Sequence, residues 1–526
     1  MASVLFSAMR NEGPFLLDWI AYHRAIGFDK IIIVTNDCTD GSEPLLQKLE
    51  KAGIVRHIIQ DVRPELGPQR SAVAIAEREG FLDEGDWGMF LDADEYLNIH
   101  IGDGRVQDLV TYLSVKGKSG MLVNWRIFGA AGNQFFPGSY ISESFTRCEA
   151  EPLEASFKTF FQKNALVSGF SARGHRCRLK PNVATVQDFV TGSGANVGSA
   201  DNRRSRRRHA LWVQAGESGY AIAAGNEVGF AIAQVNHYAV RDRCSFALKK
   251  LRGRGSIAEN EVENTGPRHT DKYYRRYNRN EAEDRTILRW SDKTDAIKNE
   301  IISAANCSKE LEAMTHHYHE AIASVKAEVI EKDAERFPLT MPAKEQEFLR
   351  DAYAQADQIM EFGSGGSTVL AAELGKPCVS IESDANWAFN LNGYLESAFG
   401  HDVTARALHV DIGKTKSWGY PVDASRWTEY WRYPLEVWQN PDLGQPDVVL
   451  IDGRMRMACF AGVLMNVRRD TLVLFDDYID RPNYHVIETL VERDQTIGRM
   501  AVFKVKPKLI QETDFLYVLP WFFDLS

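Results

Sequence analysis

The sequence predicts an α/β protein in which two sheet-containing domains are joined by a helical segment. Between residues 3 and 99, apolar runs of strand length alternate with segments whose apolar residues recur at helical spacing. Residues 256–337 are highly charged and helical in pattern, and a second alternating series follows them. A chain of 526 residues is also too long for one hydrophobic core. We therefore predict three domains, over residues 1–255, 256–337 and 338–526.

The composition, with 44% hydrophobic and 25% charged residues, is that of a folded globular protein. It excludes a mainly disordered protein. The net charge of −10 argues against a protein whose main ligand is nucleic acid. Seven cysteines without a Cys-x-x-Cys pair favour a reduced, cytoplasmic protein that has no zinc framework. No signal peptide and no membrane-spanning window is recognisable, so we expect at most peripheral membrane contact.

The first domain begins with strand-type runs over residues 3–8, 30–35 and 54–60, and a fourth run ends at Leu91. Helical segments separate these runs, which is typical of a mostly parallel sheet. Ligands of such sheets bind at the carboxyl ends of the strands. The polar loops 10–12, 36–40 and 92–95 all follow strands, so we expect them to share one crevice.

Asp92 and Asp94 stand where the fourth strand ends. Alternate residues of a strand share a face, so the two carboxylates can converge on one point. Carboxylate oxygens suit Mg²⁺ or Mn²⁺, and such an ion would neutralise the charge on a departing nucleotide diphosphate. An isolated Asp-x-Asp is often only a polar turn, but the neighbouring polar loops favour the metal site.

The order of these motifs resembles the nucleotide-sugar domain of GT-A glycosyltransferases, most closely the family 2 type. The resemblance rests on Arg10-Asn11-Glu12, the Asp-Gly-Ser loop after the second strand, Gln69-Arg70 and Asp92-Ala-Asp94, and it covers roughly the first 250 residues. It implies a GT-A, Rossmann-like fold and a nucleotide-diphosphate sugar as donor. It also implies that Asp92, Asp94 and His237 bind the metal ion. A partly buried, hydrogen-bonded histidine is the alternative for His237.

The same resemblance implies a set of donor-binding residues. These are Arg10, Asn11, Glu12, Asp37, Arg70, Asp92, Lys249, Arg252 and Arg254. Residues 191–198 and the arginine run 203–209 have the composition of a mobile loop, which would either hold an acidic acceptor or be a solvated surface.

An inverting sugar transfer needs a general base to deprotonate the acceptor hydroxyl. Carboxylates in the appropriate part of the chain are Glu143, Glu149, Glu151 and Glu154. The sequence does not distinguish among them, and Glu154 is our weak preference as the catalytic base.

The segment 256–337 is predicted to form helices that join two catalytic lobes or mediate dimerisation, which makes a homo-oligomer conceivable. His316, His317 and His319 occur within it. Helical geometry places only His316 and His319 on a common side, so we interpret all three as surface histidines.

The second domain starts after the proline-containing segment 337–342. Residues 358–367 read as strand, glycine turn and helix, and the next strand ends on Glu382, which can accept hydrogen bonds from ribose hydroxyls. Later strands end on Asp452 and Asp476, and the runs 500–505 and 515–519 are expected to form a closing hairpin.

This register resembles the class I S-adenosylmethionine methyltransferase fold over about residues 340–526. A dinucleotide-binding Rossmann domain usually has a third glycine at a spacing that Ser364 to Leu370 lacks. The resemblance implies S-adenosylmethionine as a cofactor, and it places Asp411 near the adenine and Asp452 where methyl transfer occurs. The other residues that it implies at the cofactor are Glu361, Gly363, Gly365 and Glu382.

Asp452, together with Asp476 and Asp477, would deprotonate a sugar hydroxyl directly or hold a metal ion that lowers its pKa. Against this stands the segment 454–456, which lacks the histidine that related sugar methyltransferases often carry after this aspartate. A strand-end aspartate that only caps a turn is the structural alternative.

We therefore predict a bifunctional enzyme of glycan assembly that transfers a sugar to a glycan or lipid-linked glycan acceptor and then O-methylates a sugar. One alternative keeps the glycosyltransferase and makes the second domain a non-catalytic binding or assembly module. The other is an RNA methyltransferase whose first domain and arginine run hold RNA.

Overall fold

The computed structural model describes residues 1–136, 140–151, 154–181, 183–198, 203–216, 222–252, 269–440, 443–507 and 512–524. The chain divides into two compact units. The first contains residues 1–131 and 135–326, and the second contains residues 132–134 and 327–526. The division falls inside one long helix, so most of the described part of the predicted connector belongs to the first unit, where Ile301 and Met314 join the hydrophobic core.

The first unit is built on a large twisted α/β sheet. Its strand order is β3-β2-β1-β4-β8-β6-β13-β5, with β11 beside β6 and β12 beside β8. Strands β1 to β4 are parallel to one another, and β8 runs antiparallel to both β4 and β6. The described strands are β1 (Ser3–Met9), β2 (Lys30–Thr35), β3 (Arg56–Ile59), β4 (Trp87–Phe90), β5 (Glu95–Ile99), β6 (Gly120–Ile127), β7 (Arg147–Cys148), β8 (Glu154–Gln162), β9 (Val167–Phe170), β10 (Cys177–Leu179), β11 (Phe189–Thr191), β12 (Ile222–Ala224), β13 (Ala233–His237) and β14 (Ala282–Glu283).

Helices cover both faces of this sheet, and each face has its own apolar cluster. They are α1 (Gly13–Ala25), α2 (Ser42–Lys51), α3 (Pro68–Arg78), α4 (Val106–Val115), α5 (Ile141–Ser144), α6 (Arg203–Ala215), α7 (Arg243–Arg252), α8 (Asp271–Tyr277), α9 (Ser291–Ala305) and α10 (Ser308–Ala334).

The arginine run 203–209 begins helix α6, so its prediction as a loop was wrong. His209 and Trp212, three residues apart, are both buried. Residues at this spacing lie on one side of a helix. Burying this side stabilises the helix, although the arginines themselves favour solvent. His316, His317 and His319 lie within α10 and are exposed, as predicted for surface histidines.

The second unit has a single sheet with strand order β17-β16-β15-β18-β19-β21-β20. The first five strands are parallel, and β21 is antiparallel to both β19 and β20. The strands are β15 (Ile359–Phe362), β16 (Cys378–Glu382), β17 (Ala405–His409), β18 (Val448–Ile451), β19 (Thr471–Phe475), β20 (Gln495–Ile497) and β21 (Met500–Val505). The helices are α11 (Ala343–Gln355), α12 (Gly366–Glu373), α13 (Ala385–Phe399), α14 (Arg432–Leu435), α15 (Arg456–Asn466) and α16 (Glu512–Val518).

These two sheets confirm the predicted α/β fold class. The closing hairpin, however, is formed by β20 and β21, and the prediction of a strand over residues 515–519 was wrong. Val518, Trp521 and Phe522 are buried there, a spacing of three and four residues that is typical of a helical turn. Across the described ranges, no helix is both long enough and apolar enough to cross a bilayer.

Candidate active sites

In the first unit, the loops after β1 and β2 are joined to each other because the two strands are parallel neighbours. The backbone N–H of Thr39 donates to Asn11 Oδ1 at 2.7 Å, and Asn11 Nδ2 donates to Thr39 Oγ1 at 3.2 Å. Asp40 Oδ2 accepts from the backbone N–H of Gly13 at 2.7 Å and so holds the start of α1. Asn11 and Asp37 both have left-handed backbones, with φ of 52° and 47°. The first two of the three loops predicted to lie together are therefore in contact.

Asp92 follows β4 and is held by a buried lysine from the neighbouring antiparallel strand β8. Lys158 Nζ lies 2.9 Å from Asp92 Oδ2 and 3.1 Å from Glu95 Oε2. Glu95 also accepts from the backbone N–H of Asp92 at 2.9 Å. Burial raises the pKa of Glu95 to about 8, although Lys158 acts in the opposite direction. One cation thus fixes the orientation of two carboxylates.

Asp94 lies between a lysine and a histidine. Its Oδ2 accepts a hydrogen bond from Lys249 Nζ, and its Oδ1 is 3.8 Å from His237 Nε2. Burial alone would raise the pKa of Asp94, but the positive charges of Lys249 and, to a smaller extent, Arg241 outweigh it and hold that pKa far below its usual value. Asp94 is therefore ionised at neutral pH.

His237 ends β13, directly opposite Glu95 in the antiparallel pair with β5. Its ring packs on Trp125 with centroids 4.1 Å apart, and burial lowers its pKa to about 4. Its buried Nδ1 has no hydrogen-bond partner among the described residues. A neutral imidazole is the form that binds metal ions.

The donor set of Asp94 and His237 fits a divalent cation. Ligands about 2.1 Å from an octahedral ion lie roughly 3 Å apart when adjacent and about 4 Å apart when opposite. The 3.8 Å between Asp94 Oδ1 and His237 Nε2 falls in this range. Asp92 is directed to Lys158, and among the described residues it does not join Asp94 and His237 in a group of ligand atoms within 4.8 Å of one another, so the predicted set of three metal ligands is not brought together.

Glu12 connects the loop after β1 to two arginines. Arg241 Nη1 is 2.8 Å from Glu12 Oε2, and Arg252 Nη1 is 2.7 Å from Glu12 Oε1. Burial would raise the pKa of Glu12, but these two charges outweigh it and keep that pKa below its usual value. Arg252 also donates to the backbone carbonyls of Arg10 and Asn11, at 2.5 and 2.9 Å.

The other predicted donor-binding residues have different surroundings. Arg10 and Asp37 are exposed, and Asp37 Oδ2 accepts from Asn36 Nδ2 at 2.9 Å. Arg70 is half-buried in the first turn of α3. Arg254 and the side chain of Glu154 lie outside the described residues.

Sequence reasoning missed Lys158, Glu95 and Arg241 as parts of this site. The usable signal was a lysine in the otherwise apolar strand Phe157-Lys158-Thr159-Phe160. A buried lysine requires a carboxylate partner, and the nearest acidic motif at a strand end is Asp92 to Glu95.

In the second unit, the glycine turn after β15 meets the loop after the neighbouring strand β18. Gly363 has φ of 98°, and a Cβ atom there would lie 2.8 Å from backbone atoms of Gly453. Only glycine allows this close approach of the two loops.

The predicted cofactor carboxylates occupy two kinds of environment. Glu361 is buried below the turn and accepts from Tyr353 Oη at 2.7 Å, from Thr368 Oγ1 at 2.5 Å and from Ser380 Oγ. Glu382 ends β16 and accepts from Ser364 Oγ at 2.9 Å and from the backbone N–H of Asp384 at 2.9 Å. Burial raises the pKa of both glutamates. Glu361 thus supports the turn, and Glu382 lies beside it.

Asp411 follows β17, the neighbour of β16, and so lies at the same edge of the sheet. Its Oδ1 accepts from Arg426 Nη1 at 2.7 Å and from the backbone N–H of Gly413 at 2.9 Å. Partial burial would raise the pKa of Asp411, but the hydrogen bond from Arg426 outweighs it, so that pKa is lower than usual.

Asp452, Asp476 and Asp477 bring carboxylate oxygens within 4.8 Å of one another after β18 and β19. Burial raises the pKa of Asp452 to about 7, against the attraction of Arg456, whose Nη2 is 3.0 Å from Asp452 Oδ1. Arg499 Nη2 lies 3.1 Å from Asp476 Oδ2. The oxygen donors suit a hard divalent cation or general-base work at neutral pH.

Comparison with known proteins gives similarity to curated glycosyltransferases and to a solved methyltransferase-like protein. No family model matches the chain. A curated glycosyltransferase family 92 protein of Oryza sativa subsp. japonica is 28% identical over 182 residues, which cover 34% of this chain and 30% of the relative. A second family 92 protein, from Ricinus communis, is 30% identical over 143 residues, covering 26% of this chain and 25% of the relative. The chain thus spans about 30% or less of the length of these relatives.

A solved structure of a methyltransferase-like protein from Silicibacter pomeroyi is 41% identical in sequence. The match covers 36% of this chain and 98% of that protein, with a TM-score of 0.34. The curated relatives carry the family 92 name, whereas the sequence motifs pointed to the family 2 type. The chain is therefore similar to curated glycosyltransferases over 34% of its length or less.

Proposed function

We propose that the first unit transfers a sugar from a nucleotide-diphosphate donor to a glycan or lipid-linked glycan acceptor. The observation that carries the proposal is the pairing of Asp94 with His237 at the strand ends, 3.8 Å apart and surrounded by cations. The names of the family 92 relatives support the same reaction class. Donors of this class need a site that accepts both a diphosphate and a divalent ion.

The residues at these strand ends have different roles in the proposed reaction. Asp94 and His237 would hold the divalent ion, and Lys158 keeps the carboxyl groups of Asp92 and Glu95 in place after β4. Bound Mn²⁺ or Mg²⁺ would neutralise charge on the departing diphosphate. Lys249 and Arg252 add positive charge from the last turn of α7. The preferred base for the acceptor hydroxyl stays Glu154, as predicted from the sequence.

Calorimetry of the full chain against nucleotide sugars tests this proposal. We expect a uridine or guanosine diphosphate sugar to bind only when Mn²⁺ is present, and Asp94→Asn to abolish that binding because the ion loses its carboxylate. Asp83→Asn is the matched control, because Asp83 is an exposed aspartate before β4. S-adenosylmethionine binding should be unchanged in both variants. Equal donor affinity in EDTA would count against the metal assignment.

For the second unit we propose S-adenosylmethionine-dependent O-methylation of a sugar hydroxyl. The supporting observation is Asp452, a carboxylate with a pKa of about 7 next to the turn in which Gly363 meets Gly453. S-adenosylmethionine supplies the methyl group, while Asp452 takes the proton of the attacking hydroxyl. Linking the units on one chain raises the local concentration of a shared intermediate.

Methyl transfer from labelled S-adenosylmethionine to a glycosylated acceptor tests this second function. We expect Asp452→Asn to reduce transfer by about a hundredfold or more while cofactor binding persists, since the base acts on the acceptor. Cofactor binding without transfer to any glycan would instead favour a non-catalytic module. Steeply salt-dependent RNA binding without nucleotide-sugar affinity would favour the RNA methyltransferase.

A further inference from the structure

The cations best placed for a donor diphosphate are already engaged by carboxylates. Lys158 contacts Asp92 and Glu95, Lys249 contacts Asp94, and Arg241 and Arg252 share Glu12. These eight groups comprise four bases and four acids, and because burial raises the pKa of Glu95 to about 8, the acids carry at most as much charge as the bases. A divalent ion alone would therefore add two uncompensated positive charges to a largely buried cluster, which is unfavourable.

Lys249 is the cation closest to the proposed metal ligands. It projects from the last turn of α7, and its Nζ donates to Asp94 Oδ2 and, at 3.0 Å, to the backbone carbonyl of Ala239. The other oxygen of the same carboxylate faces His237. The ammonium thus supplies positive charge to Asp94 where a metal ion would supply it.

We propose that Lys249 is a displaceable counter-ion of Asp94, which moves to the donor diphosphate when a divalent ion binds Asp94 and His237. The inference rests on the proposed sugar transfer by this unit. It specifies how the divalent ion and the donor diphosphate bind together. A nucleotide-diphosphate sugar carries about one negative charge per phosphate, so donor and ion together restore the charge balance. Lys249 then exchanges one anionic partner for another.

Arg252 supports this exchange from the same helix turn. It lies three residues after Lys249, and its Nη1 donates to the backbone carbonyls of Arg10 and Asn11 in addition to Glu12. These two carbonyl oxygens and Glu12 hold the end of α7 at the loop after β1. The last turn of α7 therefore keeps Lys249 close to Asp94 in the free protein.

Coupling between metal ion and nucleotide follows from this exchange. The free protein binds the ion weakly because Lys249 competes for Asp94, and a nucleotide diphosphate strengthens ion binding by giving Lys249 another partner. The coupling is reciprocal, so the ion strengthens nucleotide binding by the same factor. Removing the ammonium should improve ion binding to the free protein and weaken the coupling.

Mn²⁺ titration of the full chain, followed by the electron paramagnetic resonance signal of free Mn²⁺, tests the exchange with and without uridine or guanosine diphosphate. We expect Lys249→Gln to bind Mn²⁺ about tenfold more tightly than the parent without nucleotide, and its coupling factor to fall by about fivefold. Lys249→Arg should behave like the parent, because it keeps the charge. Lys250→Gln is the matched control, because it removes an exposed lysine one position further along α7.

The outcomes separate this inference from the proposed function. Equal or weaker Mn²⁺ binding by Lys249→Gln than by the parent, without nucleotide, would overturn the exchange while metal-dependent donor binding could still stand. If the parent bound nucleotide sugars equally with and without Mn²⁺, that result would contradict the proposed metal-dependent sugar transfer itself. Tighter Mn²⁺ binding in Lys250→Gln as well would show a general charge effect, and that result also overturns the specific role of Lys249.

Discussion

Asp18 shows how one buried carboxylate makes stability depend on pH. It lies on α1, and its Oδ2 accepts from Tyr96 Oη at 3.0 Å and from the backbone N–H of Ile141 at 3.2 Å. Burial raises its pKa to about 6 despite both hydrogen bonds. The folded state therefore keeps a proton that the unfolded chain loses above pH ~4. The stabilisation is complete below that pH and is lost as the pH rises through about 6.

We predict that Asp18→Asn is more stable than the parent at pH 7.5 by about 2–3 kcal/mol, because an amide avoids ionising a buried group. At pH 4.5 the difference should be below about 1 kcal/mol, because Asp18 is then largely protonated in the folded state. Urea unfolding at the two pH values measures both differences. A difference that does not change with pH would contradict the assignment, and Asp83→Asn should show no such change.

At the scale of elements, the turn between β15 and α12 carries the cofactor prediction. We predict that Gly363→Ala destabilises the second unit by about 2–4 kcal/mol, because alanine is strained at positive φ and its Cβ would clash with Gly453. S-adenosylmethionine affinity should fall by at least about tenfold as the turn shifts. Thermal unfolding and calorimetry measure the two effects.

Gly375 provides the matched control for this turn. It also has a positive φ, of 65°, but no atom lies within 4 Å of the position of an added Cβ. Gly375→Ala should therefore cost only the backbone strain of about 1–2 kcal/mol and leave cofactor affinity unchanged. Equal losses in the two variants would show that the close approach to Gly453 does not matter.

At the scale of the whole molecule, each unit has its own sheet and its own apolar clusters. We therefore predict two transitions in differential scanning calorimetry. A ligand present at about 100 times its dissociation constant adds roughly 2.7 kcal/mol to the unit that binds it, which corresponds to about 5–11 °C for a unit of about 200 residues. S-adenosylmethionine should shift one transition, and Mn²⁺ with a nucleotide sugar should shift the other. A single transition moved by both ligands would contradict two independent stability units.

Local sequence patterns were sufficient to predict the strands that end at or just before Asp92, Glu382 and Asp452. Period-two and helical periodicities depend on neighbouring residues, so a sequence displays them directly. Local patterns failed for α6 and α16, where burial of a few aromatic side chains decided between loop, strand and helix. Tertiary packing overrides local composition in such segments.

The sequence by itself determined the fold class, the strand ends that carry acidic residues and the candidates Asp94 and His237. Only the tertiary structure decided how those residues are neutralised. Lys249 and Asp94 are 155 positions apart in the chain, and Lys158 and Asp92 are 66 apart. No short-range pattern records such pairs, because they exist only when distant strands and helices meet at one edge of the sheet. The free energy of burying a charge then selects its partner.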